Sequence, residues 1–169
     1  TYHHNLIAHN ESRNPRWASG GGHNDYRNNV IYNWGYESSY GGEYQQVGNA
    51  NFTGVWVNMI NNYYKPGPGT ESGVRGVIVK PTKRSANDKG SFYVTGNLIE
   101  GNTTINSDNW KGVKGSDYIK MNSPWNAMTI NQQSAQNAYD AVLADVGASI
   151  KRDDVDKRII SDVRNGTAT

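Results

Sequence analysis

His4-Asn5-Leu6-Ile7, Asn28-Asn29-Val30-Ile31, Asn61-Asn62-Tyr63-Tyr64 and Gly96-Asn97-Leu98-Ile99 are four versions of one phrase. Each has a polar or small residue, an Asn, then two apolar residues. The Asn residues are 24, 33 and 35 positions apart. An extended-looking run precedes each, at 1–4, 25–28, 55–60 and 92–95, and a loop rich in Gly, Pro or Asn follows. A short unit with insertions of variable length suits a solenoid whose coils are strands joined by turns. Asn tolerates left-handed backbone and hydrogen-bonds neighbouring main chain. In stacked coils, Asn5, Asn29, Asn62 and Asn97 would bond one another as an internal ladder, with the insertions gathered on one face. An antiparallel sandwich with Asn-Asn turns is the alternative, and the repeat favours the solenoid.

The composition agrees. At 169 residues the chain is one domain or part of a larger one. Lys plus Arg is 17 against 15 Asp plus Glu, a net charge of +2, so charge gives no case for binding nucleic acid or an anionic membrane. No apolar run is long enough for a transmembrane helix, and residues 1–20 contain no apolar signal-peptide core. The absence of Cys excludes disulfide scaffolds, thiol catalysis and Cys-type zinc sites. With 19 Gly, 22 Asn, 11 Tyr and 5 Trp, the chain reads as an all-β protein with many turns, polar ladders and aromatic surface for sugar.

The character changes after Thr129. Ser134 is an N-cap for a helix carrying Ala138, Val142 and Val146 on one face, and Gly147 is its stop. A second helix is expected from Asp153 or Asp154 to Arg164, with acidic residues at its positive end, Gly166 beyond it, and Val155, Ile159 and Val163 as its apolar stripe. The expected organisation is coils and long loops over 1–130 and a helical extension over 131–169.

Ser12-Arg13-Asn14-Pro15-Arg16 is the sharpest candidate for chemistry. Pro15 stiffens the segment, and two guanidinium groups held together can grip carboxylates in bidentate fashion. A solvated basic turn is the plainer reading. His3, His4 and His9 crowd one coil without a zinc-ligand spacing, and His3 and His4 are expected on opposite sides of a strand. Glu11, Asp25, Glu37 and Glu43 offer no spacing that singles out a hydrolase pair. Gly20-Gly21-Gly22 lacks the Lys-Ser or Lys-Thr of a phosphate loop. Glycosylation triplets at Asn10, Asn51, Asn102 and Asn165 are as frequent as chance allows in so Asn-rich a chain. Trp34, Tyr36, Tyr40, Tyr44, Tyr63 and Tyr64 sit in or beside the loops after the second and third coils, where they serve either sugar stacking or packing between loops.

The run from His3 to Asn10 into Ser12-Arg13-Asn14-Pro15-Arg16 resembles the stretch of the family 1 polysaccharide lyases, the pectate lyases, that carries the catalytic arginine. Asp25 to Gly35, Ser39 to Glu43, Asn61 to Pro68, and the tail from Val142 to Gly166 resemble the coils and helices that follow it, the last three as in the bacterial branch. The resemblance spans nearly the whole chain but only the C-terminal part of the family's domain. It implies a right-handed parallel β-helix and β-elimination on polygalacturonate, with calcium bridging enzyme and substrate carboxylate. It implies a secreted or periplasmic protein. Arg13 matches the proton-abstracting arginine; Arg16, Tyr36, Tyr40 and Lys65 are the candidate substrate contacts. A guanidinium ordinarily loses its proton only above about pH 12, so a base of this kind needs neighbouring positive charge and desolvation. Two departures from the family follow. Ala18 stands where the family often has a second arginine, and the family's acidic calcium ligands and a substrate-binding lysine lie upstream of the Arg13 stretch. The expectation is therefore a piece of a pectate lyase that works beside the N-terminal part of the same β-helix. Its alternatives are a non-catalytic polysaccharide-binding or adhesin β-helix and, third, a β-helix hydrolase.

Overall fold

The computed structural model describes residues 1–17, 21–44 and 54–168. Ala18 and the triplet at Asn51 lie outside the described residues. The first three coils each contribute one strand to each of three sheets. The first coil is β1 (Tyr2–His3), β2 (Leu6–Ala8) and β3 (Arg16–Trp17). The second is β4 (Gly22–Arg27), β5 (Val30–Tyr32) and β6 (Ser39–Gly41); the third is β7 (Val55–Ile60), β8 (Tyr63–Lys65) and β9 (Val79–Pro81). The fourth has β10 (Gly90–Thr95), β11 (Leu98–Ile99) and a short helix α1 (Thr103–Ser107). It then closes through Val113, which bridges Val79. β12 (Tyr118–Lys120) adds a fifth strand to the first sheet, beyond the four coils legible in the repeat. Sheet 1 is β1-β4-β7-β10-β12, sheet 2 is β2-β5-β8-β11 and sheet 3 is β3-β6-β9. Every pairing is parallel, which excludes the sandwich and makes the chain a parallel β-helix.

The repeated phrase is the corner between sheets 1 and 2. Its first residue takes left-handed backbone in every coil: φ is 54° at His4, 55° at Asn28, 53° at Asn61 and 65° at Gly96. That explains the preference for polar or small residues there. It also corrects the expectation for His4, which turns the corner instead of lying in a strand. The second residue builds the ladder. Each Asn side-chain oxygen accepts from the preceding coil's Asn backbone N–H and side-chain amide: Asn5 onto Asn29 (3.1 and 2.8 Å), Asn29 onto Asn62 (3.0 and 3.1 Å), Asn62 onto Asn97 (2.9 and 2.9 Å). Asn109, outside the repeat, ends the stack by accepting from Asn97 at 2.7 and 3.1 Å.

The two apolar residues of the phrase face opposite ways, since side chains alternate along a strand. Ile7, Ile31, Tyr64 and Ile99 share one register and pack into the solenoid interior. Leu6, Val30, Tyr63 and Leu98 share the next and meet the helical layer. Sheet 2 is apolar on both faces because both are covered.

The covering layer is α2 (Ala135–Asp145) and α3 (Asp154–Asn165). Ser134 caps α2 by accepting from the Asn137 N–H, and Asp153 caps α3 by accepting from the Asp156 N–H. Gly147 and Gly166 follow the two helix ends with φ of 76° and 72°. Ala135, Val142, Leu143 and Val163 press onto sheet 2. The expected stripe of α3 is corrected at one end: Val155 is exposed, and Ile159, Ile160 and Val163 form the buried side. The connection into α2 is tied across the corners. The Gln133 carbonyl accepts from the side chains of Asn28 and Asn61, and its N–H donates to Asn28. Among the described residues no helix is long and apolar enough to cross a membrane.

Candidate active site

Arg13 lies in the loop between β2 and β3, and that loop is laid on the equivalent loop of the second coil. Gly35 N–H donates to Asn10 O at 3.1 Å, Asn14 N–H to Ser38 O at 2.9 Å and the Asn14 side chain to Glu37 O at 3.3 Å. Ser12 and Asn14 are consequently buried while Arg13 between them is exposed. Arg13 has φ of 65°, a left-handed conformation that costs a residue with a Cβ about 1–2 kcal/mol. The buried anchors on either side hold it there and turn its side chain outward. The Asn14–Pro15 peptide is cis. One guanidinium nitrogen of Arg13 lies 3.4 Å from the Ser12 hydroxyl, which in turn donates to the Tyr36 hydroxyl at 3.1 Å. Arg13 and Tyr36 thus belong to one hydrogen-bonded cluster, and Tyr36 is 46% exposed, accessible to a ligand.

Arg16 stands on the outer face of sheet 3, in register with Tyr40 of the next coil and, through Tyr40, with Lys80 of the third. Its guanidinium carbon is 5.4 Å from the centre of the Tyr40 ring. It also forms an ion pair with the buried Glu43, which further accepts from the Thr82 hydroxyl at 2.5 Å. Burial pulls the Arg16 guanidinium down, but the hydrogen bond and charge of Glu43 outweigh it, so the group is pushed above its ordinary range. Structurally, sheet 3 brings Arg16 and Tyr40 together, while Ser12 and Tyr36 tie Arg13 into the same end of the coil.

Lys65 does not join them. It sits on β8 beneath α3, its ammonium 3.2 Å from the Arg164 carbonyl at the helix C-terminus and 3.3 Å from Glu100. A cation at that end complements the helix dipole. Trp34, Tyr63 and Tyr64 are buried and serve packing; of the rest of the aromatic set Tyr36 is exposed and Tyr40 and Tyr44 are half-buried. The acidic candidates are mostly spoken for: Asp25 pairs with Arg27, Glu37 with Lys80 and Glu43 with Arg16. Among the described residues no group of three or more His, Asp or Glu gathers as metal ligands, so the implied calcium does not fit a site built from them. Lys80 was missed in the sequence, and Glu43, considered there only as a hydrolase carboxylate, instead pairs with Arg16. Lys80 carried a signal in the alternation Val79-Lys80-Pro81, but the long insertion before it hid the coil spacing.

Stacked parallel coils and an internal Asn ladder define a parallel β-helix, with the anchored Arg13 loop on one flank. No family model matches the chain. Among curated proteins it is similar to the probable pectate lyase C of Aspergillus fumigatus and to that of Neosartorya fischeri, each 32% identical over 95% of this chain. The probable pectate lyase C of Aspergillus terreus is 31% identical over the same share. The chain spans 36% of the length of these relatives. The chain is thus similar to part of these proteins, in agreement with the resemblance drawn from its own residues.

Proposed function

We propose that the protein cleaves polygalacturonate by β-elimination, with Arg13 as the proton-abstracting base and Arg16, Tyr36 and Tyr40 as substrate contacts. The observation that carries this reading is the presentation of Arg13: exposed, in left-handed backbone, between two buried residues anchored to the next coil. The likeness to proteins named probable pectate lyase supports it. In the elimination, once the bound polymer covers and so desolvates the exposed Arg13, its neutral guanidine takes the proton on the carbon alpha to the uronate carboxylate. The electron pair forms a carbon–carbon double bond, the glycosidic C–O bond breaks, and the departing oxygen takes a proton from water. Cationic side chains beside the carboxylate stabilise the enolate-like charge as it develops. The calcium implied by the resemblance has no ligand set among the described residues, and no step here passes through it. A polymeric plant substrate places the activity outside the cell.

The test is Arg13→Lys in the intact protein, assayed by ultraviolet absorbance of the unsaturated product on polygalacturonate. Loss of a positioned base lowers turnover by about 10²–10⁴-fold, and circular dichroism should report an unchanged fold. Near-normal turnover removes Arg13 from the mechanism. Retained polymer binding with no product from the unsubstituted protein supports the binding-module alternative instead.

A further inference from the structure

We propose that His9 is a positioning residue for the Arg13 flank. With Asn33 and Gly69 it forms a relay across three coils, closed while the imidazole is neutral and broken when the imidazole takes a second proton. The role in turnover rests on the reading of Arg13 as the base of a lyase; the relay itself does not.

His9 and Asn33 turn the corner between sheet 2 and the loops of the Arg13 flank. Both have left-handed backbone, with φ of 60° and 49°. Their N–H groups donate along the stack, His9 to Tyr32 O and Asn33 to Lys65 O, each at 3.1 Å. Gly69 lies in the corresponding loop of the third coil, and its N–H donates to the Asn33 side-chain oxygen at 2.7 Å. That bond fixes the amide, so the Asn33 NH2 faces His9, whose Nδ1 is 2.8 Å away. Nδ1 is therefore the acceptor, and the neutral ring carries its proton on Nε2. The fit is close, since a Cβ on Gly67 would stand 2.4 Å from the same Asn33 oxygen.

The loops beyond these corners rest on one another. The Glu71 N–H, two residues after Gly69, donates to Gly35 O. The Gly35 and Glu37 N–H groups donate to Asn10 O and Glu11 O, immediately before Ser12 and Arg13. The Asn33 amide thus ties the root of the loop stack that presents Arg13 and Tyr36.

A second proton acts unequally on the two sides of the ring. Nε2 is buried without a hydrogen bond among the described residues, 3.7 Å from Asp162. Asp162 on α3 is itself buried, accepts from the Thr167 hydroxyl at 2.6 Å and pairs with Arg158. Tyr32 on β5 meets the imidazole nearly at right angles, 5.3 Å between ring centres, and its phenol donates to Thr167 O. Lys65, in register with Tyr32, pairs with Glu100. In the loop of His9 itself, Glu11 is two residues on. The added proton goes on Nδ1, where its N–H faces the Asn33 NH2. Asp162 favours the new charge, but two donors cannot share one contact. Asn33 must turn or withdraw, and Gly69 loses its acceptor. Histidine is the side chain that makes this change between about pH 5 and 8.

The experiment follows the nitrogen shifts of the labelled His9 imidazole and the amide shift of Gly69 across about pH 5 to 8. At the alkaline end His9 should carry its proton on Nε2 alone, and the Gly69 amide should move with the same midpoint as the imidazole. In His9→Gln, which takes no proton, Gly69 should stay still. A neutral ring protonated on Nδ1, or a Gly69 shift that ignores His9, overturns the relay. The unsubstituted protein decides this arm even where His9→Gln fails to fold. On polygalacturonate, loss of one ordinary hydrogen bond predicts that kcat/KM falls about twofold to tenfold on the acid side of that midpoint. His9→Gln should remove this limb. A limb that persists unchanged in a folded His9→Gln overturns the positioning role. If the unsubstituted protein forms no unsaturated product, the lyase reading fails separately, and the His9 and Gly69 shifts alone judge the relay.

Discussion

Asn62 shows how much one side chain contributes in a solenoid. Its oxygen accepts two bonds from Asn29, and its amide donates to Asn97 at 2.9 Å and to the Tyr26 carbonyl at 3.1 Å, all within the buried interior. Asn62→Leu keeps a similar volume but strands the Asn29 N–H and the Tyr26 carbonyl. Each unsatisfied buried group costs about 1–3 kcal/mol, so a loss of about 2–6 kcal/mol is expected from urea unfolding. A loss below about 1 kcal/mol, the value of an ordinary net hydrogen bond, would show that burial does not control the ladder's energy. The ladder itself was legible in the sequence from Asn5, Asn29, Asn62 and Asn97. Its terminal acceptor was not, because Asn109 enters from a 3₁₀ turn with no repeat around it.

At the scale of elements, α3 is set by its ends and by sheet 2. The Asp153 side chain accepts from the Asp156 N–H at 2.9 Å, while Gly166 supplies the left-handed stop. Asp153 is exposed, so Asp153→Ala should cost about 1 kcal/mol, the usual value of an N-cap. Hydrogen exchange should quicken in α3 while sheet 1 keeps its protection; an unchanged α3 would mean that packing alone defines the helix start. The sequence located both helices because caps and periodicity are local. It misjudged Val155 because a stripe fixes which residues share a face, not which of them meet a partner; Val155 is left in solvent.

For the molecule as a whole, the tyrosines dictate the response to alkali. Burial pushes the Tyr32 phenol up to about 12, with the charges of Asp162 and Glu100 adding to it. Burial also raises Tyr26, Tyr63 and Tyr64. Unfolded tyrosine ionises near about 10. Between about pH 10 and 12 the unfolded chain therefore holds fewer protons than the folded one, and stability falls as pH rises. Below about pH 10 this contribution is fully present. Thermal unfolding in that window should move to lower temperature together with the rise of phenolate absorbance. Tyr32→Phe should flatten part of the slope. A melting temperature constant across the window would refute the assignment.

The sequence by itself determined the coil, its ladder, the two capped helices and the arginine loop, because each is written in residues close together or repeated at a spacing. It also carried the resemblance that pointed to the pectate lyases. Only the tertiary structure decided which side chains share a flank. Coil stacking aligned Arg16, Tyr40, Lys80 and Lys114 across insertions of unequal length, took Lys65 under a helix, and paired Asp25 with Arg27, Glu37 with Lys80 and Glu43 with Arg16. Register between parallel strands depends on how long each intervening loop is and how it packs, and no local pattern of residues encodes that distance.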